Sequence, residues 1–140
     1  MEPKKILIID DDRVSLLTIA AKLRASGFQT VAAGDATMAT TIAKQEKPDL
    51  IILDINLPGG DGITVMKHMA SMSCLALTPI IIITGGDSPS TKKNALENGA
   101  VAFFQKPCNL DELAETVNKT LGVSIQRQNK DCPLPHRTKA

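Results

Sequence analysis

The chain has almost no aromatic residues: three Phe, and neither Trp nor Tyr, among 140 residues. Proteins that bind single-stranded nucleic acid stack bases on such side chains, so this class of binding is disfavoured. The formal net charge is only +1, which gives no electrostatic reason to expect DNA or an anionic membrane as a partner. Hydrophobic residues still make up 43% of the chain, so a soluble globular domain with an aliphatic core is expected.

Cysteines are few and long hydrophobic runs are missing. Cys74, Cys108 and Cys132 are odd in number and have no C-x-x-C spacing, which argues against a disulfide framework or a zinc site and is typical of a reducing compartment. No apolar run approaches the roughly 18 residues of a membrane span, and the first one stops at three aspartates. We therefore expect a cytoplasmic protein of one domain without membrane insertion.

Short apolar runs alternate with amphipathic helical segments. Ile6–Ile9, Leu50–Leu53 and Ile80–Ile83 are unbroken, which is typical of strands covered on both faces, whereas Thr30–Ala33 and Val101–Phe104 are weaker and suit outer strands. Five strand–helix units in succession predict an α/β fold with a doubly wound parallel sheet. Placing the most apolar strands in the middle gives the flavodoxin-like order 2-1-3-4-5, a (βα)5 three-layer sandwich.

Capping residues mark where the helices begin. The expected starts are at Asp12, Asp35, Asp61, Ser88 followed by proline, and Asn109. Gly27 and Gly99 stand where the first and fourth helices should end. The helical pattern stops at Leu121, so we expect a domain over residues 1–121 and a flexible C-terminal tail over residues 122–140.

Polar side chains follow four of the predicted strands. Asp10 and Asp11 follow the first strand, Asp54 the third, Thr84 the fourth and Lys106 the fifth. The carboxyl ends of parallel strands meet at one edge of the sheet, where open α/β folds bind their ligands. Clustered carboxylates repel one another unless a hard cation such as Mg²⁺ lies among them. Each residue alone has an ordinary structural explanation, but the combination favours a functional site.

Four blocks of this sequence resemble, in the same order, the signature blocks of response-regulator receiver domains. They are ILIIDDD, PDLIILDINLPGGDG, PIIIITG and GAVAFFQKP. The resemblance covers residues 4–121 and implies a phosphoacceptor of two-component or phosphorelay signalling. Residues 122–140 are too few for a DNA-binding module of about 60 residues, so the expected type is a stand-alone receiver that signals through protein contacts.

The resemblance assigns the acceptor and the metal ligands. Asp54 would attack a phosphoryl group and form an acyl phosphate. Asp10, Asp11 and Asp54 would hold Mg²⁺ (or Mn²⁺), together with the main-chain carbonyl of Asn56. These roles agree with the chemistry of phosphoryl transfer, which depends on positioning and on neutralisation of charge.

The resemblance also assigns the phosphoryl-binding and switch residues. Thr84, Gly85 and Lys106 would bind the phosphoryl group, and the Lys106–Pro107 bond is often cis in the family. Thr84 and Phe103 would form the switch, although Phe103 lacks the hydroxyl of the tyrosine that is frequent there. Cys108 stands where an aromatic residue is common in the family, and we expect it to have a structural role.

The expected partners follow from the same resemblance. The phosphoryl donor would be a histidine kinase or a histidine phosphotransfer protein. The surface of the fourth helix, fifth strand and fifth helix would change on phosphorylation, and would bind a downstream protein effector or form a phosphorylation-dependent homodimer. The chain would catalyse its own phosphorylation and dephosphorylation without being a turnover enzyme.

Three alternatives use the same fold. A degenerate receiver would act only as a protein-binding module, but every acceptor-site residue is present here. A small phosphatase with an Asp nucleophile needs D-x-D on the first strand, which Asp10 and Asp12 match weakly, and a longer chain. A flavodoxin-like electron carrier needs a hydroxyl-rich phosphate loop, where this chain has the anionic sequence DDDRVS.

Overall fold

A parallel five-stranded sheet forms the centre of the fold. The computed structural model describes residues 3–57, 60–73, 75–85 and 89–131, with the backbone alone at 60, 61, 89 and 123–131. In chain order the strands are β1 (Lys5–Ile9), β2 (Gln29–Ala33), β3 (Leu50–Asp54), β4 (Asn56–Leu57), β5 (Gly60–Asp61), β6 (Ile80–Thr84) and β7 (Ala102–Gln105). The sheet order is β2-β1-β3-β6-β7, which confirms the predicted order of the five principal strands. β4 and β5 form a separate antiparallel pair.

In the described part of the chain, five helices connect the strands. They are α1 (Arg13–Ala25), α2 (Ala36–Glu46), α3 (Gly62–Ala70), α4 (Pro89–Glu97) and α5 (Leu110–Asp131). The side chains of Asp12, Asp35 and Asn109 accept backbone hydrogen bonds at 3.2, 2.8 and 3.0 Å and so confirm three of the predicted caps. Ser88, predicted to cap α4, lies outside the described residues.

The core lies in two layers, one on each face of the sheet. Leu7 and Ile51 contribute to the layer that contains buried residues of α2, α3 and α4. Ile6 and Ile52, each on the opposite face, contribute to the layer beneath α1 and α5. Alternation along a strand sends neighbouring side chains to opposite faces, so both layers hold the central strands in place. β3 and β6 are buried at every position, as expected for strands covered on both faces.

Two features differ from the sequence-based expectations. α5 continues past Leu121 to Asp131, so its end was predicted ten residues too early. The prediction of a flexible tail stays a prediction, and residues 132–140 lie outside the described residues. The helical spacing of the apolar residues predicts that Met38 lies with Ile42 and Ala43 on the inner face of α2, yet Met38 is 48% exposed, while Ala39 and Ala43 face the core. No helix in the described part of the chain is long and apolar enough to span a membrane.

Candidate functional site

The strand ends bring the predicted polar residues to one edge of the sheet. Asp54 is the last residue of β3 and Thr84 the last of β6, while Asp10 directly follows β1 and Lys106 directly follows β7. Asp10, Asp54 and Thr84 are 3%, 5% and 1% exposed, and Asp11 is exposed. Two buried carboxylates on adjacent central strands are costly unless they are paired, so their partners decide what the site can do.

Lys106 joins the two buried carboxylates. Its Nζ lies 2.8 Å from Oδ2 of Asp10 and 3.0 Å from Oδ2 of Asp54. The backbone N–H of Lys106 donates to the carbonyl oxygen of Thr84 at 2.8 Å, which ties the end of β7 to the end of β6. The Lys106–Pro107 bond is cis, as the resemblance implied. One ammonium group therefore offsets the charge of both acids.

Backbone N–H groups hold the remaining carboxylate oxygens. The N–H of Asp12 donates to Oδ1 of Asp10 at 2.9 Å, and the N–H of Asn56 donates to Oδ1 of Asp54 at 3.0 Å. In both cases the donor lies two residues after the acceptor, the local pattern of Asp-initiated turns. Each buried carboxylate is thus fixed in orientation by one N–H group and by Lys106.

Burial and charge shift the ionisation of Asp54 and Lys106. Burial is the largest influence on Asp54 and raises the pKa of its carboxyl group, with a smaller contribution from the charge of Asp10. The N–H of Asn56 and the ammonium of Lys106 counter only part of this. Burial alone would lower the pKa of Lys106, but its hydrogen bonds to Asp10 and Asp54 outweigh that effect and raise it. Lys106 therefore remains protonated at neutral pH.

Three carboxylates at this edge could hold a cation. One oxygen from each of Asp10, Asp11 and Asp54 lies within 4.8 Å of the other two. The donors are all hard oxygens, and two of the three are buried and oriented, which fits Mg²⁺ or Mn²⁺ rather than a soft metal. The main-chain carbonyl of Asn56 stays a predicted ligand.

The side chain of Asn56 has a contact that the sequence did not indicate. Its Nδ2 donates to the hydroxyl oxygen of Thr84 at 3.1 Å. Only the main-chain carbonyl of Asn56 had been assigned a role, because the resemblance concerns that atom. The one signal in the sequence was its polar side chain two residues after the strand-end acid.

The remaining predicted site residues lie around this edge. Gly85 directly follows Thr84 and is exposed, and a Cβ atom there would meet no described residue within 4 Å. Phe103 is half-buried and packs against the core layer on the α2–α4 side of the sheet. Its position on β7, next to β6, agrees with the predicted switch, which stays a prediction.

Gly62 is a structural requirement that the sequence analysis did not single out. Its N–H donates to the carbonyl oxygen of Ile55 at 2.8 Å, and a Cβ atom would lie 2.4 Å from Cα of Ile55 and 2.9 Å from the carbonyl oxygen of Asp54. α3 therefore begins directly against the backbone of Asp54 and Ile55. The glycine-rich sequence PGGDG was the available signal.

A sequence model of the response regulator receiver domain matches residues 6–118. The chain belongs to this family. Sporulation initiation phosphotransferase F of Bacillus subtilis strain 168 is 33% identical over 121 residues, which are 86% of this chain and 96% of that protein. Transcriptional regulatory protein PdtaR of Mycobacterium tuberculosis is 32% identical over 127 residues, and the match spans 90% of this chain but only 60% of PdtaR.

Solved receiver structures have the same fold. A CheY-like response regulator receiver domain protein from Methanospirillum hungatei has a TM-score of 0.83 at 26% identity, covering 89% of this chain and 98% of that one. The receiver domain of the Francisella response regulator 1452 has a TM-score of 0.80 at 30% identity, covering 86% and 98%. The chain is thus a receiver domain of two-component signalling, whose family works with histidine kinases or phosphotransfer proteins.

Proposed function

We propose that this receiver accepts a phosphoryl group on Asp54 from a histidine kinase or a histidine phosphotransfer protein. The reaction is Mg²⁺-dependent, and it switches a surface that binds another protein. The observation that supports this most strongly is the arrangement around Asp54, a buried carboxylate at the end of a rigid strand whose two oxygens are oriented by the Asn56 N–H and the Lys106 ammonium.

The proposed chemistry requires little movement of the chain. A carboxylate oxygen of Asp54 attacks phosphorus, forming an O–P bond as the bond from phosphorus to the donor nitrogen breaks. The ammonium of Lys106, 3.0 Å from Oδ2 of Asp54, then donates its hydrogen bond to a phosphoryl oxygen instead of the carboxylate oxygen. Its positive charge offsets the negative charge of the phosphoryl group. Mg²⁺, held by Asp10, Asp11 and Asp54, would neutralise negative charge on the phosphoryl oxygens. The hydroxyl of Thr84 then donates to the transferred group.

The surface beside the site supports a protein as the donor. Val14 and Leu17, one turn apart on α1, are 73% and 49% exposed. Next to them a cavity of about 410 Å³ lies between α1 and the segment after β7, and its wall includes Asp12, Lys106 and Cys108. An exposed apolar surface next to a cavity that reaches Asp12 and Lys106 suits a partner that presents a phosphorylated side chain on a helix.

The proposed output surface is the face formed by α4, β7 and α5. Leu96 of α4 and Val101, just before β7, are 42% and 49% exposed. They provide an exposed apolar surface on the α4–β7–α5 face, and the predicted switch residue Phe103 lies on β7. A downstream protein, or a second phosphorylated copy of the chain, would bind this face.

The decisive experiment is phosphoryl labelling of Asp54. The wild-type chain should be labelled by acetyl phosphate or by a phosphohistidine protein when Mg²⁺ is present and lose the label when Mg²⁺ is chelated. Asp54→Asn should not be labelled. Asp35→Asn is the matched control, because it makes the same change at the N-cap of α2 and should be labelled normally.

Three outcomes would contradict the proposal. A wild-type chain that is never labelled would favour a degenerate receiver that acts only by binding proteins. Full labelling of Asp54→Asn would show that a residue other than Asp54 accepts the phosphoryl group. Sustained turnover of a small phosphate ester would instead indicate a phosphatase, since the proposal treats the chain as a phosphoacceptor and not as a turnover enzyme.

A further inference from the structure

Asn56 contacts both the proposed acceptor and the proposed switch residue. Its backbone N–H donates to Oδ1 of Asp54 at 3.0 Å, and its side-chain Nδ2 donates to Oγ1 of Thr84 at 3.1 Å. Asp54 and Thr84 end two neighbouring strands, β3 and β6. Asn56 lies just beyond β3, so it can connect the two strand ends outside the sheet.

The contact with Thr84 limits where its hydroxyl can point. Thr84 is 1% exposed and ends a strand that is buried at every position, so its backbone has little freedom to carry the hydroxyl elsewhere. Rotation about χ1, which in threonine has few favourable states, is the remaining route. Such a rotation moves Oγ1 and breaks the hydrogen bond to Nδ2 of Asn56.

We propose that the side chain of Asn56 is a positioning residue that restrains the Thr84 hydroxyl in the resting state. Capture of the phosphoryl group by Thr84 then requires release from Asn56, and the strength of this contact sets the balance between the resting and the activated receiver. The inference rests on the proposed function of Asp54 and Thr84. It adds a role for an amide that the phosphoryl-transfer chemistry itself does not use.

The expected size of the effect follows from the type of contact. Asn56 is exposed, so its amide can donate to water when the Thr84 hydroxyl rotates away. Loss of a neutral hydrogen bond of this kind changes an equilibrium by about two- to tenfold. Asn56→Ala should therefore bind beryllofluoride, a phosphoryl mimic, about two- to tenfold more tightly in the presence of Mg²⁺.

A double-mutant cycle separates the restraint from a direct effect on the site. Affinity for beryllofluoride would be measured by NMR titration for the wild type, Asn56→Ala, Thr84→Val and the double variant. Every variant keeps the backbone N–H and carbonyl of residue 56, so the contact with Asp54 is retained. Asn56→Ala should tighten binding only where the Thr84 hydroxyl is present. Unchanged or weaker binding by Asn56→Ala, or the same gain in the Thr84→Val background, would overturn the inference.

A second measurement needs no phosphoryl mimic. Three-bond NMR couplings report the χ1 angle of Thr84, which should occupy one state in the wild type and average over more than one in Asn56→Ala. The same single state in both proteins would overturn the restraint. A wild type that fails to bind beryllofluoride would instead count against the proposed function of Asp54, and the couplings would still decide the role of Asn56.

Discussion

The burial of the Asp54 carboxyl group favours its proposed reaction with a phosphoryl group but lowers the stability of the fold. Its carboxylate is 5% exposed, and burial raises its pKa even though Lys106 and the Asn56 N–H donate to it. An acid whose pKa is higher in the folded than in the unfolded chain destabilises the fold once it is ionised. The oriented, poorly solvated oxygen that is proposed to attack phosphorus is therefore maintained at a cost in stability.

This cost predicts that Asp54→Asn is more stable than the wild type at neutral pH without Mg²⁺, by about 1 kcal/mol. The amide has nearly the same shape and carries no charge beside Asp10. As pH rises from about 4, the ordinary pKa of an unfolded aspartate, the advantage of the variant should grow, and it should level off above the raised pKa of the folded state. Urea unfolding of both proteins across this range measures the difference. A variant that is less stable at every pH would contradict the prediction.

Cys108 offers a second titration, since burial raises the pKa of its thiol. In a chain with Cys74 and Cys132 replaced by Ser, the pH midpoint of alkylation by iodoacetamide should be higher in the native state than in urea, where it should lie near 8.5. Because the thiol pKa is higher in the folded than in the unfolded chain, the stability of the fold decreases as pH rises above the ordinary thiol pKa. A native midpoint at or below the value in urea would contradict the expected structural role of Cys108.

At the scale of elements, the junction between β3 and α3 is the most constrained connection. Gly62 begins α3, and the space for a side chain at this position is already occupied by the backbone of Asp54 and Ile55. Gly62→Ala should lower the free energy of unfolding by about 3 kcal/mol, since neither backbone can move away without disturbing β3. Urea unfolding monitored by circular dichroism measures this loss.

Gly122 supplies the matched control for that substitution. It lies within α5, it is exposed, and a Cβ atom there would meet nothing within 4 Å in the part of the chain that the structure describes. Gly122→Ala should raise stability by up to about 1 kcal/mol because alanine favours the helix. If Gly62→Ala were as stable as Gly122→Ala, the close approach of α3 to the backbone of Asp54 and Ile55 would be wrong.

Element types were predictable because each depends on local patterning. Asp12, Asp35 and Asn109 were identified as caps from the residue type alone, and each accepts the expected backbone hydrogen bond. The end of α5 was not predictable in the same way. The apolar stripe that identified this helix ends at Leu121, whereas its backbone remains helical to Asp131.

At the scale of the whole molecule, the described buried part of α5 ends at Leu121 and the family match ends at residue 118. A chain that stops at Gly122 should therefore unfold within about 0.5 kcal/mol of the full chain, because a short helical extension adds little stability by itself. Leu121→Ala is the informative comparison: its side chain is 4% exposed, and its loss should cost about 2–5 kcal/mol. If the shortened chain lost as much stability as Leu121→Ala, residues after 122 would belong to the folded domain.

The sequence by itself determined the order of the sheet and the acids at its edge. Hydrophobic runs identify the central strands, and parallel strands must end at one edge, so Asp10, Asp54, Thr84 and Lys106 could be placed together without coordinates. These inferences need only patterns along the chain and one rule of topology.

The tertiary structure alone decided the contacts within the site. Lys106 bonds to Asp10 and Asp54 across 96 and 52 residues of sequence, and Asn56 reaches Thr84 across 28. Such contacts depend on rotamers and on the approach of loops to one another, which no local pattern specifies. The strand ends bring these groups into one region, but only packing determines which atoms meet.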